Sequence, residues 1–239
     1  MDVRPYDDTR SRKSQVRHMF NRIAPRYDLL NRLLSFRTDV YWRRQMVRRL
    51  RPFAPRHILD VATGTADVAL ATLALRPQRI VAVDLAPRMI ELAEEKVQRL
   101  APHAPIQLQV ADAESLPFDD HTFDAVTVAF GVRNFENLQK GLAEMIRVLR
   151  EGGVLAVLEF SRPGNHPLGW AYRFYSRHIL PRVGGWISGD PHAYRYLPES
   201  IQAFPAGQAF EDELVGAGAR KTARYPLTGG IATLYIAQK

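Results

Sequence analysis

Ile58-Leu59-Asp60-Val61-Ala62-Thr63-Gly64-Thr65-Ala66-Asp67 is an apolar run that enters a glycine turn and opens a helix. A second apolar run, Ile80-Val81-Ala82-Val83, ends in Asp84 roughly 20 residues past that glycine, the interval at which a nucleoside-binding fold places its ribose carboxylate. The pair predicts a bound adenosine. The G-x-G-x-x-G spacing of a dinucleotide site is absent, since Ala66 and Asp67 follow Gly64. Pyrophosphate needs backbone NH groups and little negative charge, whereas this turn carries Asp60 and Asp67. Such a turn suits a ligand with a positive centre, and the sulfonium of S-adenosylmethionine is one.

Composition narrows the field. A chain of 239 residues suffices for one α/β domain with a full core. No stretch approaches the roughly 18 unbroken apolar residues of a membrane span, and the opening Met-Asp-Val-Arg-Pro-Tyr-Asp-Asp lacks the apolar run of a secretory signal. Cysteine is absent, which excludes disulfides, thiolate catalysis and cysteine-held metals. The 7 histidines show no ligand spacing, so no metal is expected. Together these features predict a cytoplasmic location. The net charge of +8 is uneven: residues 1–56 carry 15 Arg and Lys against 5 Asp and Glu, while 57–150 carry 9 against 13. A basic arm of this kind meets nucleic acid or an anionic membrane, or is simply a solvated arginine-rich face.

The pattern divides one domain into four parts: a helical cap (1–56), a cofactor-binding core (57–161), an insertion (162–200) and a closing helix with a strand pair (201–239). In the cap, Val16, Met19, Phe20, Ile23 and Tyr27 recur at helical spacing, Pro25 breaks the run, and a second helix covers about 39–50. Strands are predicted near 57–62, 79–84, 106–110, 123–130, 153–160, 220–226 and 231–237. Helices are predicted near 66–76, 87–100, 136–150, 167–180 and 207–216. Gly152-Gly153 reads as the stop of the helix before the fifth strand. Alternation implies a mostly parallel sheet covered on both faces, with an antiparallel closing pair.

Ligands of such sheets bind at the carboxyl ends of the strands. Reading those ends yields Thr63, Gly64 and Thr65 for close backbone approach, and Asp84 for the ribose hydroxyls. Asp112 follows for the adenine amine, or as a turn cap, with Ala113 leaving room for the ring. Ala129 and the following Phe130-Gly131-Val132-Arg133-Asn134 face the methyl-transfer end.

Several stretches resemble the ubiquinone/menaquinone biosynthesis C-methyltransferases (UbiE/MenG). They are Met19-Phe20-Asn21-Arg22-Ile23-Ala24-Pro25-Arg26-Tyr27-Asp28-Leu29-Leu30-Asn31, Leu33-Leu34-Ser35-Phe36 with Tyr41-Trp42-Arg43, and Phe130-Gly131-Val132-Arg133-Asn134. Arg147-Val148-Leu149-Arg150-Glu151-Gly152-Gly153 is similar to the class-wide R-V-L-K-P-G-G. Ser188-Gly189-Asp190-Pro191 and Tyr194-Arg195-Tyr196-Leu197-Pro198-Glu199-Ser200-Ile201 resemble the family's closing signature. The resemblance implies a Rossmann-like class I methyltransferase, its sheet seven-stranded with an antiparallel last strand. Two positions depart from the family: Ala66 replaces the usual second glycine of Gly-Thr-Gly, its methyl expected toward the cofactor, and Ala129 replaces a serine.

What the resemblance implies is methyl transfer from S-adenosylmethionine, leaving S-adenosylhomocysteine, to a ring carbon of a polyprenylated hydroquinone. That acceptor is demethylmenaquinol or a 2-methoxy-6-polyprenyl-1,4-benzoquinol. Arg133 is the expected cation for the phenolate, Asn134 the holder of the second ring oxygen, and Tyr27 a lid residue closing over cofactor or ring. Leu168, Trp170, Tyr172, Phe174, Tyr175, Ile179 and Leu180, interleaved with arginines and continued by Trp186 and Ile187, read as a prenyl-accepting wall or an ordinary core helix. With the basic cap they predict peripheral contact with an anionic leaflet at the inner face of the cell membrane. Rival readings are methylation of another lipid phenol, an RNA methyltransferase, and a silent cofactor-binding scaffold. No Asn-Pro-Pro-Tyr-type motif, catalytic cysteine or RNA module supports the second, so no nucleic-acid partner is expected. A homo-oligomer and a quinone-biosynthesis assembly both stay open.

Overall fold

The computed structural model describes residues 3–164, 167–176 and 190–239. Seven strands form one sheet: β1 (His57–Val61), β2 (Arg79–Asp84), β3 (Ile106–Val110), β4 (Phe123–Ala129), β5 (Leu149–Phe160), β6 (Lys221–Leu227) and β7 (Ala232–Gln238), in the order β3-β2-β1-β4-β5-β7-β6. The first five are parallel, and β7 runs antiparallel to β5 and β6. The central strands bury both faces, Ile80 through Val83 without interruption, as a sheet covered on both sides requires.

Nine α-helices lie among the described residues: α1 (Arg12–Ile23), α2 (Tyr27–Leu34), α3 (Thr38–Leu50), α4 (Asp67–Thr72), α5 (Pro87–Leu100), α6 (Leu138–Arg147), α7 (Pro167–Phe174), α8 (Pro191–Ala203) and α9 (Gln208–Gly216). Trp42, Met46 and Leu50 of α3 pack with Val68 and Ala69 of α4 on one face of the sheet. Leu142, Met145 and Ile146 of α6 and Phe210 and Leu214 of α9 fill the other. Each such apolar side chain, fully buried, contributes roughly 1.5–3 kcal/mol. A third cluster joins the cap to the strand ends: Met19, Ile23 and Leu30 meet Ala86 and Met89 of the β2–α5 segment and Tyr196 of α8.

Local chemistry explains the boundaries. Ser11 accepts from the Ser14 amide and caps the start of α1. A 3₁₀ turn (Ala24–Arg26) around Pro25 separates α1 from α2. Two expectations need correction. Gly152-Gly153 does not stop α6, which ends at Arg147. Gly152, at φ 75°, instead lies inside β5, where the register jumps from Phe123↔Leu149 to Ala125↔Val154. The stretch from 191 to 203 is a helix for which sequence reading predicted no element, its first ten residues falling in the insertion of 162–200; Asp190 caps it through the His192 and Ala193 amides. Of the helix expected over 167–180, residues 177–180 lie outside the described residues, as do Ile179, Leu180, Trp186, Ile187, Ser188 and Gly189.

Candidate active site

The register levels the strand ends. Val61 pairs with Val83 and Val128, Asp84 with Val110, and Ala129 with Leu158. Ala62, Asp84, Ala111, Ala129 and Glu159 therefore meet along one edge of the sheet. Strand order reverses between β1 and β4, and the crevice opens there.

Gly64 (φ 56°) takes the left-handed conformation that glycine accepts without strain, and its backbone faces the Tyr27 ring, 3.5 Å from where a Cβ would stand. Asp84 binds this turn directly: one oxygen accepts from the Gly64 amide (2.8 Å), the other from Ala86 (2.9 Å). Burial pushes its carboxyl up, against those backbone donors. Gly64, Asp84, Asp112, Ala113 and Ala129 all line the crevice, with Ala62 and Ala111 beside them. Asp112 does two jobs at once: Oδ1 accepts from the Glu114 amide (2.9 Å), the turn cap foreseen as its alternative, and Oδ2 pairs with Lys13 of α1 (2.8 Å).

Other expected residues turn elsewhere. Thr63 donates to Asp60 (2.6 Å) and lies off the crevice wall. Asp60 also accepts from Thr127 (2.7 Å) and is 1% exposed; burial raises its carboxyl to about 6. Asp67 pairs with Lys96 (2.5 Å) and Arg43 (3.1 Å). Both carboxylates are engaged within the fold and neither lines the crevice, so their influence on a ligand at the turn is indirect. The methyl of Ala66 (φ 66°) is fully buried among Trp42 and Val68, so it does not crowd the crevice.

Lys96 is the centre of a buried ion network that sequence spacing did not reveal. It holds Asp28 (2.6 Å) beside Tyr27, Asp67 at the start of α4, and the Thr65 hydroxyl (3.1 Å), which itself donates to Asp28 (2.5 Å). Arg43 extends the chain to Asp39 (2.7 Å). Burial pushes Asp67 up, but Arg43 and Lys96 outweigh it and hold the carboxyl below the ordinary range. The cap is thereby tied to the glycine turn. Replacing Lys96 by Met leaves Asp28 and Asp67 without their shared cation; both are partly exposed and Asp67 keeps Arg43, so the loss is about 3 kcal/mol. Thermal melting then drops by about 10 °C for a chain of this size; a change under about 2 °C would deny the network its role.

Beyond the crevice lies a cavity of about 410 Å³. Trp42, Phe130 and Phe160 form its aromatic floor, the last two with ring centroids 4.4 Å apart. Phe20, Tyr27, Phe130 and Asn134 line both spaces, so cavity and crevice meet there. Burial pushes the Tyr27 hydroxyl up, and the ring stands edge-on to Phe20 at 6.1 Å.

At this junction sit two buried polar side chains, Arg133 and Asn134, each 7% exposed. Arg133 Nη1 donates to Glu159 (2.7 Å) and to the Phe130 carbonyl (2.5 Å), while its Nε is buried without a partner. Asn134 accepts from the Tyr196 hydroxyl (3.1 Å). Glu159 and Tyr196 were missed from sequence. The signal for Glu159 was present, since it is an acid one residue before the end of an apolar strand, much as Asp84 closes β2; nothing in the spacing of α8 marks Tyr196.

The chain is similar over residues 8–239 to the model of the ubiE/COQ5 methyltransferase family. It is 42% identical over 238 residues to the demethylmenaquinone methyltransferase of Bacteroides fragilis, covering 99% of this chain and 97% of that one. It is 50% identical over 235 residues to the ubiquinone/menaquinone biosynthesis C-methyltransferase UbiE of Syntrophotalea carbinolica, covering 98% and 95%. Among solved structures, a SAM-dependent methyltransferase of Thermotoga maritima superposes with a TM-score of 0.64 at 19% identity, covering 93% of this chain and 99% of that one. That last likeness is one of fold.

Proposed function

The chain belongs to the ubiE/COQ5 methyltransferase family and is an S-adenosylmethionine-dependent methyltransferase; on that premise we propose that it methylates a ring carbon of a polyprenylated hydroquinone, demethylmenaquinol or its methoxy-benzoquinol counterpart. The observation that carries this reading is the apolar, aromatic-floored cavity meeting the nucleoside crevice at Phe20, Tyr27, Phe130 and Asn134. A lipid-soluble ring fits such a space, and its reacting carbon would stand where the two spaces join.

The crevice suits the methyl donor. Asp84 has no cationic partner among the described residues, so it keeps lone pairs for two ribose hydroxyls, and five alanines leave room for a flat base. When bound, S-adenosylmethionine supplies a sulfonium methyl to the ring carbon, sulfur keeping the bond pair while the ring gives up one proton. Arg133 and Asn134 hold the two ring oxygens. Arg133 stabilises the anion that makes the carbon nucleophilic, through the fixed donors of a water-poor site. Arginine stays protonated and is no base, so the proton leaves through solvent. Tyr27 closes the junction and excludes water from the reacting atoms.

Membrane contact extends the same reading. No helix among the described residues is long and apolar enough to cross a membrane. Phe36 lines the cavity yet is 76% exposed, marking the cavity's mouth. Leu29, Leu33, Trp170 and Phe174 are exposed on the two flanking helices, with Arg26, Arg32 and Arg37 nearby in the cap. Apolar side chains ringed by arginine suit an anionic leaflet, from which the quinol is drawn.

One assay addresses both statements. Methyl transfer to a reduced short-chain demethylmenaquinol is expected, and to the long-chain quinol faster in anionic than in zwitterionic vesicles at low salt. Cofactor binding without turnover on any quinol would leave a scaffold as the better reading. Equal rates in the two vesicle types would refute docking alone.

A further inference from the structure

Resting on the quinol reading, we infer that Glu159 is a positioning residue for methyl transfer: its carboxylate fixes the Arg133 guanidinium at the cavity wall and cancels its net charge.

Glu159 is the terminal acid of β5 and is 0% exposed. Its neighbour two residues back, Val157, packs in the core on the α6 face, so the pleat continues an apolar face into a carboxylate. A buried carboxylate beside a buried guanidinium is weak evidence of a stability role, because well-packed apolar residues of similar volume often serve as well or better. The geometry around the pair points to placement. Oε1 receives both Arg133 Nη1 (2.7 Å) and the Phe160 amide (2.8 Å). The carboxylate is therefore oriented by its own strand before it orients the arginine. Phe130 O takes the same Nη1 at 2.5 Å, and the guanidinium carbon stands 5.5 Å from the Phe160 ring centre. From the opposite side Arg12 of α1, also buried, donates to the Arg133 carbonyl (2.7 Å). Backbone and side chain are thus both held. An arginine fixed in this way and lining the cavity is placed to donate to an oxygen held there.

The charge consequence is separable from the placement. Tyr27 of α2 and Tyr172 of α7 feel Arg133 across the cavity, and Asp84 and Asp28 act on Tyr27 from the crevice side; Tyr175, Tyr196 and the paired Asp39 and Arg43 share the cavity wall, and Arg12 adds a second cation behind Arg133. None of these cancels the guanidinium directly. With Glu159 ionised, the bound quinol faces a dipole; without it, the quinol faces a whole positive charge, which lowers the pKa of its hydroxyl.

The test compares Glu159→Gln and Glu159→Asp with wild type across pH, using a reduced short-chain demethylmenaquinol. For Glu159→Gln, kcat is expected to fall about tenfold and its rise with pH to move about one unit toward acid. Glu159→Asp keeps the charge but shortens the reach, so kcat falls about tenfold with the profile in its wild-type place. Calorimetric affinity for S-adenosylmethionine stays within about twofold in both, relative to wild type. A wild-type kcat in Glu159→Asp overturns the inference, as does a Glu159→Gln profile that does not move. If Glu159→Gln fails to fold, the Asp variant alone decides. Absence of quinol methylation by the wild-type protein would instead count against the parent reading.

Discussion

Arg133→Ala is expected to lower kcat for quinol methylation by about 10²–10³-fold, the usual cost of losing one preorganised donor to a developing anion. The affinity for S-adenosylmethionine, read by calorimetry, should stay within about twofold, because Arg133 does not line the nucleoside crevice. The variant carries a second effect. Removing the cation leaves Glu159 buried and uncompensated, and that carboxyl, already pushed up by burial, loses the neighbour that opposes the rise. Stability should fall by about 3–5 kcal/mol. The two effects come apart in a double variant, Arg133→Met with Glu159→Gln: the neutral pair restores thermal stability toward wild type and leaves turnover as low as in Arg133→Ala. Recovery of turnover in the double variant would show that the single variant was merely unstable.

Asp84→Ala should act on the other half of the reaction. Two acceptor sites vanish together, the one that steadies the Gly64 and Ala86 amides and the one offered to the ribose. Hydrogen bonds to a charged group contribute about 1.5–3 kcal/mol each, so calorimetry should show cofactor affinity weakened by about 100-fold or more. Turnover at saturating cofactor should stay within about tenfold of wild type, since the quinol cavity is untouched. Asp84→Asn, which retains one acceptor oxygen, should fall between. Because burial raises this carboxyl, protonation sets in at a higher pH than for an exposed aspartate. Cofactor affinity therefore declines sooner as pH falls, and that early decline should be absent from Asp84→Ala. Equal loss of cofactor affinity in the Arg133 and Asp84 variants would contradict the division of labour between crevice and cavity.

Much of this was legible in the chain. Apolar runs of five to seven residues bounded by helical stretches determined the parallel sheet, since only burial on both faces makes such runs worthwhile. The acid closing β2, the lone Gly64 turn and the R-N pair after β4 could be placed at one edge, because strand direction fixes where carboxyl ends gather. Residue type and local spacing were sufficient for these.

Tertiary structure decided which side chains face a ligand and which are consumed by the fold. Asp60 and Asp67 looked like direct neighbours of the ligand, yet the first is held by the Thr63 and Thr127 hydroxyls and the second is paired with Lys96 and Arg43. Apart from Thr63, those partners lie up to 67 positions away in sequence, beyond any local pattern. Glu159 and Tyr196 enter the site for the same reason: their contacts with Arg133 and Asn134 exist only once β5 and α8 are packed against the segment after β4. A periodicity reports which face a residue occupies relative to its own strand or helix. The partner that neutralises its charge or holds its hydrogen bond is chosen by the packing of distant elements.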